Sequence, residues 1–467
     1  MVFEQCIVTR DNPLPVPGSI VATHIIMVRR ERLKPALGRI WSLRLEMSWI
    51  LFGQFLGFLG GFLGIKVLTN LMGPNGYGQL ALGLTIAGLF NTYAYGPVAN
   101  VVVRFFAICQ ERGTLGSYFS ILKKSHRILA LGAICLATVA SGATGYFLCA
   151  EWALIILLSC LYGVTSGINV SFISLQNAIR QRKIVALHQG ADVWLRIGLS
   201  IALLFLFSKS GCSALLGYLI GTLLVTISQR IFALKNETIR KNWHAPNANP
   251  LQEKEIFKEF ASYATSFLLF AVFASFSLYA DRWILQGMFG SGAVGVYAAI
   301  YQIAASPVSI FFTMVSQLIV PIVFERAGTM TSRSQMENSG RLLRQTTLVS
   351  CLVAMVIILG AYLFSEPLIK ILTNATFAEY HNLLWIIALG LCLFNLGQQL
   401  TIKGLSFNRP RIYLAPKILQ ALSLIILAYV LAHYFKIAGV AWAVCLSSAI
   451  YLVAVLVVNR RLRLEFS

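Results

Sequence analysis

The chain consists of long apolar runs separated by short polar segments. A run of about 20 apolar residues spans the hydrocarbon core of a bilayer as an α-helix, and on this criterion the pattern predicts twelve transmembrane helices. They fall near residues 48–69, 79–101, 128–148, 152–174, 191–208, 212–234, 260–280, 294–323, 345–366, 383–402, 413–433 and 438–458. The pattern therefore predicts an all-α integral membrane fold without a separate soluble domain.

One glycine-rich turn occurs twice, at the same place in each half of the chain. Residues 73–78 and residues 290–295 each end one apolar run and begin the next, and they superpose without a gap at an offset of 217 residues. Glycine supplies the positive φ angles that tight turns need. The repeat predicts two six-helix lobes related by an axis along the membrane normal.

The repeat and the apolar pattern together divide the chain into five parts. They are a basic leader (1–46), an N-terminal lobe (47–234), a linker (235–259), a C-terminal lobe (260–458) and a tail (459–467). We expect the end of the linker to form a short amphipathic helix on the membrane surface. Because Met27 precedes a basic pair, it offers a second plausible start of the chain.

Composition and charge support a membrane protein and orient it. Hydrophobic residues make up 57% of the chain and charged residues 12%, against about a quarter charged in soluble proteins. Of the 38 lysines and arginines, 32 lie in the leader, the tail and every second loop. Since cytoplasmic loops carry the excess of basic residues, both termini are predicted to be cytoplasmic.

The cysteines and the known catalytic motifs give no sign of a cofactor or a catalytic site. The nine cysteines are scattered singly, without metal-ligand spacing, so we predict neither a metal site nor a disulfide framework. A phosphate-binding loop, a zinc-protease motif and a nucleophile elbow are all absent from the sequence. The sequence therefore predicts no cofactor and no enzyme activity.

Charged residues inside a bilayer are costly and point to function. Asp281 and Arg282 end the seventh predicted span, and Lys66 lies at a similar depth in the first. We expect Lys66 to pair with Asp281 across the lobe interface. We expect the guanidinium of Arg282 to bind phosphate oxygens through two N–H donors at once. The plainer interpretation is that these side chains anchor helix ends. Asp281 is also a candidate for ion coupling.

Asp192 is the second carboxylate bordering a span and the second candidate for ion coupling. It lies four residues before Arg196, a spacing that places both side chains on one helix face. A self-neutralising pair near the cytoplasmic interface is the plainer interpretation.

Uncharged polar and aromatic residues cluster in the second and eighth spans. Asn91 lies in the second, Tyr301 and Gln302 lie in the eighth, and Arg104 follows at the inner end of the second. Such groups suit the hydroxyls and CH faces of sugars, and Arg104 is near the point where a cytoplasmic substrate enters. Packing between helices is the alternative for the aromatic residues, and a solvated surface is the alternative for Arg104.

Three segments carry a resemblance to a known family: residues 71–78, the end of the second span at residues 96–105, and Asp281-Arg282-Trp283-Ile284-Leu285 leading to residues 295–297. Over residues 45–460 the chain resembles the Wzx-type oligosaccharide flippases of the multidrug/oligosaccharidyl-lipid/polysaccharide exporter superfamily. The resemblance implies two lobes around a cationic cavity that alternates its access. It implies transport of a polyprenyl-pyrophosphate-linked oligosaccharide to the outer leaflet of a bacterial inner membrane, for O-antigen or exopolysaccharide synthesis, with a polymerase and export machinery as possible partners. Arg104, Asp281 and Arg282 resemble family-typical positions.

Two other functions remain open at this stage. A multidrug-type exporter has the same scaffold, but its cavity should be acidic and apolar. A membrane glycosyltransferase or polymerase should carry catalytic acids in an outer loop, where this chain offers Glu151, Glu366 and Glu379.

Overall fold

The computed structural model describes residues 18–465 apart from 148, 244–249, 328–332 and 407–408, so residues 1–17 of the predicted leader lie outside the described residues. Every regular element in these ranges is helical. The α-helices are α1 Gly18–Phe90, α2 Gly96–Glu111, α3 Leu115–Phe147, α4 Ala150–Ala178, α5 Arg182–Leu206, α6 Gly211–Leu234, α7 Glu237–Trp243, α8 Pro250–Ala327, α9 Arg333–Leu363, α10 Ser365–Leu372, α11 Ala375–Ala378, α12 Leu383–Ser406 and α13 Leu414–Glu465. A π-helical turn, Asn91–Tyr95, joins α1 to α2, and a 3₁₀ turn, Pro410–Tyr413, precedes α13.

The chain forms two compact units, Met1–Phe52 and Gly53–Ser467. The first contains the described start of α1. All contacts discussed below lie within the second unit.

Nine helices in the described ranges are long and apolar enough to cross a bilayer, which confirms a multi-pass, all-α membrane fold. Three of them, α1, α8 and α13, are interrupted by single non-helical residues at Gly73, Gly290 and Lys436. Each interruption separates two arms, and each arm is long enough for its own crossing at about 1.5 Å per residue. Dividing the three helices there gives the twelve crossings expected from the sequence, a count that stays a prediction.

The two predicted glycine turns have the same backbone conformation. Gly73 has φ 63° and ψ −174°, and Gly290 has φ 78° and ψ −178°. Only glycine adopts this region readily. The repeat read from the sequence is thus matched by equivalent backbone geometry at equivalent positions.

The two turns also pack against each other through equivalent residues. A Cβ atom on Gly78 would lie 1.8 Å from the carbonyl oxygen of Ser291, and one on Gly295 would lie 1.9 Å from that of Pro74. The 217-residue offset carries Pro74 onto Ser291 and Gly78 onto Gly295. The contact is therefore self-complementary, as at a two-fold axis, and it joins the two halves of the chain backbone to backbone.

These turns define two ends of the helical bundle. We call the end that carries Gly73, Gly290 and Lys436 the turn side, and the opposite end, which carries the predicted basic loops, the basic side. The turn side is the one predicted to face outward. There a large apolar core joins residues of α1, α8, α12 and α13.

The end of the linker folds as the start of α8 rather than as a separate surface helix. α8 begins at Pro250 and continues without interruption through the seventh predicted span to Gly290. Ile256 and Phe260 pack into a buried cluster with side chains of α2, α3 and α7. This apolar packing on the basic side holds the first arm of α8 against the N-terminal half.

Candidate functional site

A polar cluster in the C-terminal half consists of Asp281, Arg282, Tyr297 and Tyr301, which we call the Arg282 cluster. Asp281 and Arg282 lie on the first arm of α8, and the two tyrosines lie one helical turn apart on the second arm. The reversal at Gly290 lays these arms side by side, so residues 16 positions apart come into contact. The sequence predicted both charged residues and Tyr301 as site residues, and it placed Tyr297 in the polar and aromatic group of the eighth span.

The carboxylate of Asp281 is satisfied within the cluster. One oxygen accepts a hydrogen bond from the Tyr297 hydroxyl at 2.7 Å, and the other accepts from the backbone N–H of Arg282 at 2.8 Å. The residue is 2% exposed. A buried carboxylate needs such donors, because burial without them is costly.

The guanidinium of Arg282 lies within reach of the Asp281 charge, but it is not held by hydrogen bonds in the same way. Its central carbon lies 5.2 Å from the centroid of the Tyr301 ring, a cation–π contact. Its Nε is buried without a hydrogen-bond partner, and within the described residues its side chain forms no ion pair. An arginine fork with unused donors inside a membrane protein is suited to an anionic ligand with several oxygens.

The second predicted charged pair, Asp192 and Arg196, is confirmed as one interacting unit. The carboxylate lies 3.0 Å from the guanidinium. Thr222 donates to Asp192 at 2.7 Å, and Arg196 donates to the hydroxyl of Tyr162 at 2.8 Å. The opposite charges are paired and each has a further hydrogen-bond partner, which is typical of a structural pair.

The depth of this pair differs from the prediction. α5 begins at Arg182, not near residue 191, so Asp192 and Arg196 lie near the middle of the helix rather than at its start. The polar residues at positions 182–190 concealed the start of the helix in the apolar pattern. Two of them bond to neighbouring helices, since Arg182 donates to Asn177 of α4 and His188 bonds to Ser228 of α6 at 3.1 Å, and the helix extends through them.

The predicted pair of Lys66 and Asp281 is absent from this structure, where each residue has other partners. The ammonium of Lys66 donates to the carbonyl oxygens of Thr373 at 2.7 Å and Lys370 at 3.4 Å, at the end of α10. A cation is favourable there, because the last carbonyls of a helix have no partner within it and carry partial negative charge. Lys66 thus joins the two halves on the turn side. The sequence could not reveal this, since α10 lies in a predicted loop.

Asn91 lies in the π-helical turn between α1 and α2. Its side-chain NH₂ group donates to the hydroxyl of Ser166 at 2.8 Å, while its side-chain oxygen Oδ1 is buried without a hydrogen-bond partner. Within the same turn, Tyr93 forms a short hydrogen bond with Ser275 of α8. π-helical turns interrupt helices frequently at functional sites, and this one contacts the opposite half of the chain.

The remaining two predicted residues lie apart from the Arg282 cluster. Arg104 is exposed near the basic side, where its guanidinium lies 5.0 Å from the centroid of the Tyr263 ring. Gln302 is exposed on α8, although its neighbour Tyr301 contacts Arg282. Adjacent helical residues point about 100° apart, so only one of the two can face the cluster.

Sequence reasoning missed Lys417, which it assigned to a basic loop. The residue lies in the first turn of α13, 9% exposed, with its ammonium 4.2 Å from the Phe394 ring and 5.2 Å from the Tyr451 ring. The one sign in the sequence was that position 417 lies within the span predicted for residues 413–433. The described residues contain no group of His, Cys, Asp and Glu side chains suited to a metal ion.

Residues 44–326 match the family model described as polysaccharide biosynthesis protein. A search of the curated proteins gave no match.

Among solved structures, the chain is similar to the lipid II flippase MurJ in an inward closed conformation, with a TM-score of 0.67, 15% identity, and coverage of 89% of this chain and 87% of that one. It is also similar to a multidrug resistance MATE family transporter of the MOP superfamily in an inward-facing conformation, with a TM-score of 0.56, 14% identity, and coverage of 89% and 94%. A MOP superfamily transporter from Pyrococcus furiosus gives a TM-score of 0.56 at 14% identity, with coverage of 90% and 94%. At these identities the likeness shows the fold, which is that of a membrane transporter.

Proposed function

The chain belongs to the polysaccharide biosynthesis protein family, and from this premise we propose that it is a flippase for polyprenyl-pyrophosphate-linked oligosaccharides. The proposed step carries the lipid-linked glycan from the cytoplasmic to the outer leaflet of a bacterial inner membrane, with both termini of the chain in the cytoplasm. A polysaccharide polymerase and export machinery are the proposed partners. One structural neighbour is itself a lipid II flippase.

The observation that carries this proposal is the unpaired guanidinium of Arg282. An arginine in a membrane span is costly unless a ligand or a counter-ion offsets its charge. Asp281 is already bonded to Tyr297, so the fork of Arg282 is available for pyrophosphate oxygens. Tyr301 presents a ring beside it, and aromatic faces suit the CH groups of sugars. Of the other predicted residues, Asn91 and Arg104 keep a proposed role in binding, and Asp281 keeps one in ion coupling.

The paired turns support alternating access. Gly78 and Gly295 hold the two halves together on the turn side, and Lys66 adds a bond across the same end. Both contacts are small and local, so they can separate without unfolding either half. We propose that their opening and closing moves the head group across the bilayer while the lipid tail stays among lipids.

The two alternative functions gain less support. A drug exporter needs a free acid in its cavity, yet Asp192 and Asp281 both have partners. An enzyme with catalytic acids in an outer loop is also disfavoured. Glu151 accepts from Gln79 at 2.9 Å, and Glu366 accepts from Lys370 at 2.5 Å, which lowers the pKa of that carboxyl.

The test is a flipping assay in proteoliposomes with a short-chain polyprenyl-pyrophosphate oligosaccharide. Accessibility of the glycan to an external lectin reports translocation. We expect wild type and Arg230→Ala, a control at an exposed arginine of α6, to flip the lipid. We expect the flipping rate of Arg282→Ala to fall roughly tenfold or more, because a charge-assisted bidentate contact is lost. We expect Arg282→Lys to recover part of this rate.

Two results contradict the proposal. One is flipping by Arg282→Ala at the wild-type rate. The other is failure of wild type with every lipid-linked glycan tried, combined with reduced accumulation of a cationic dye in vesicles, which favours the drug exporter.

A further inference from the structure

A second feature lies away from the Arg282 cluster, between α2, α3 and the first arm of α8. It is a cavity of about 320 Å³ whose walls are almost wholly apolar, and we call it the lateral groove. Its walls include Pro97 and Val101 of α2, Ile121 and Leu129 of α3, and Ala264 of α8. These helices belong to both halves of the chain, so the groove lies along a seam between them.

Both ends of the lateral groove are closed by specific contacts. Towards the turn side, Tyr93 of the π-helical turn lines the groove and bonds to Ser275. Towards the basic side, the ring of Phe105 packs 4.7 Å from that of Phe260. The groove is therefore a slot with a contact between the two halves of the chain at each end.

Arg104 does not line the groove but follows its α2 wall towards the basic side. It follows Pro97 by seven residues and Val101 by three, so all three share one face of α2. Its guanidinium lies over the ring of Tyr263, which directly precedes the groove residue Ala264.

Three neighbouring cations on this side are already engaged. Lys124 pairs with Glu253 at 2.6 Å, Arg112 pairs with Glu259 at 3.1 Å, and Lys123 donates to the carbonyl oxygen of Trp243 at 2.8 Å. Within the described residues, Arg104 has the aromatic contact but no carboxylate or hydrogen-bond partner. Its donors are therefore available for a ligand.

We propose that the lateral groove is an entry subsite for the isoprenoid chain of a polyprenyl pyrophosphate, with the phosphate held by Arg104. An apolar slot that ends at an unpaired guanidinium matches an amphiphile with one chain and one anionic head. This inference rests on the proposed function, since it concerns loading of the same lipid-linked substrate.

The size of the groove favours a single chain over a two-chain phospholipid. Ligand pockets span roughly 300–1,000 Å³, and about 320 Å³ lies at the small end of this range, which suits a segment of one chain better than two chains. Methyl branches also suit the uneven wall made by Pro97 and the π-helical turn. The rest of a long chain extends into the bilayer past the exposed side chains of Ile128 and Phe257.

The test uses the full chain in lipid nanodiscs and a polyprenyl pyrophosphate with a photoactivatable diazirine in its second isoprene unit. Cross-linked peptides are mapped by mass spectrometry in wild type, Ala264→Phe, which fills the groove, and Arg104→Gln, which removes the cation. Ala202→Phe on the exposed face of α5 is the matched control.

We expect cross-links in residues 93–129 and 257–268, displaced by unlabelled polyprenyl pyrophosphate but not by an equal amount of phosphatidylglycerol. The cross-linking yield of Ala264→Phe should be roughly tenfold lower than that of wild type, because the added ring overpacks the groove. Arg104→Gln should weaken competition by the pyrophosphate but not by the corresponding uncharged polyprenol, and Ala202→Phe should label like wild type.

Cross-links confined to other helices, equal displacement by phosphatidylglycerol, or unchanged labelling of Ala264→Phe would overturn the inference. The flipping assay separates this failure from failure of the proposed function. If wild type flips the lipid but the groove is not labelled, the proposed flippase function stands and the entry subsite is refuted. If the groove is labelled and the pyrophosphate competes with this labelling, but no glycan is flipped, the lipid-binding site stands and the flippase function is refuted.

Discussion

Replacing Gly78 by alanine should separate the two turns that close the turn side. In this structure the new Cβ would lie 1.8 Å from the carbonyl oxygen of Ser291, whereas ordinary contacts begin at 3.4 Å. The halves must therefore part by about 1.6 Å at this point. A carbonyl oxygen cannot rotate away as a flexible side chain does, so the strain falls on the backbone.

The energy of this change is large compared with a conformational equilibrium. Overpacking of this kind costs about 1–3 kcal/mol, and about 3 kcal/mol shifts a two-state ratio roughly 150-fold. Only the closed state suffers the clash, since the turns are apart in the open one. Gly78→Ala should thus populate a state that is open on the turn side and should slow a cycle that needs both states.

Distances between spin labels at Lys209 and Glu379 provide the assay. Both side chains are exposed near the turn side, one in each half, and labelling uses cysteines at these positions in a variant without native cysteines. We expect a longer distance in Gly78→Ala, and the same in Gly295→Ala, whose Cβ would lie 1.9 Å from the oxygen of Pro74. Gly287→Ala is the control, because nothing lies within 4 Å of its Cβ.

A distance distribution in Gly78→Ala identical to that of Gly287→Ala would refute the reasoning. It would mean that the close contact does not hold the halves together. A longer distance with an unchanged flipping rate would keep the contact but remove its role in transport.

Two further predictions concern charged residues. Lys66→Met should remove the bonds to the end of α10 and lower the thermal unfolding midpoint by an amount that corresponds to about 1 kcal/mol; a midpoint equal to that of Lys209→Met, an exposed control on the turn side, would contradict the assigned contact. Asp192→Asn should leave the charge of Arg196 unpaired and destabilise the fold by about 3 kcal/mol or more, while the double change Asp192→Asn with Arg196→Met should recover most of this loss in the same unfolding measurement. A stable Asp192→Asn protein that flips lipid but no longer responds to an ion gradient would instead support the coupling role of Asp192.

Much of the fold follows from local features of the sequence. Apolar runs of membrane length and a low content of charge require helices, because backbone polar groups in lipid must bond within the helix. The repeated glycines identify the two reversals, since few other residues adopt the angles found at Gly73 and Gly290. The spacing of Asp192 and Arg196 was sufficient to predict their pairing.

What the sequence could not supply is which side chains meet across helices that are far apart in the chain. Lys66 bonds to the end of a short helix more than 300 residues away, and Lys417 is buried between aromatic rings of α12 and α13 although its neighbours indicated a loop. The lateral groove likewise exists because three helices leave a gap between them.

The physical reason is the range of the interactions. Hydropathy, charge bias and backbone angles are properties of single residues or single helices, so the sequence alone determined a multi-pass helical membrane protein with a repeated turn. Whether a guanidinium is neutralised or left with free donors depends on the packing of several helices at once. Only the tertiary structure could therefore decide that Asp281 bonds to Tyr297 while Arg282 keeps donors for a ligand.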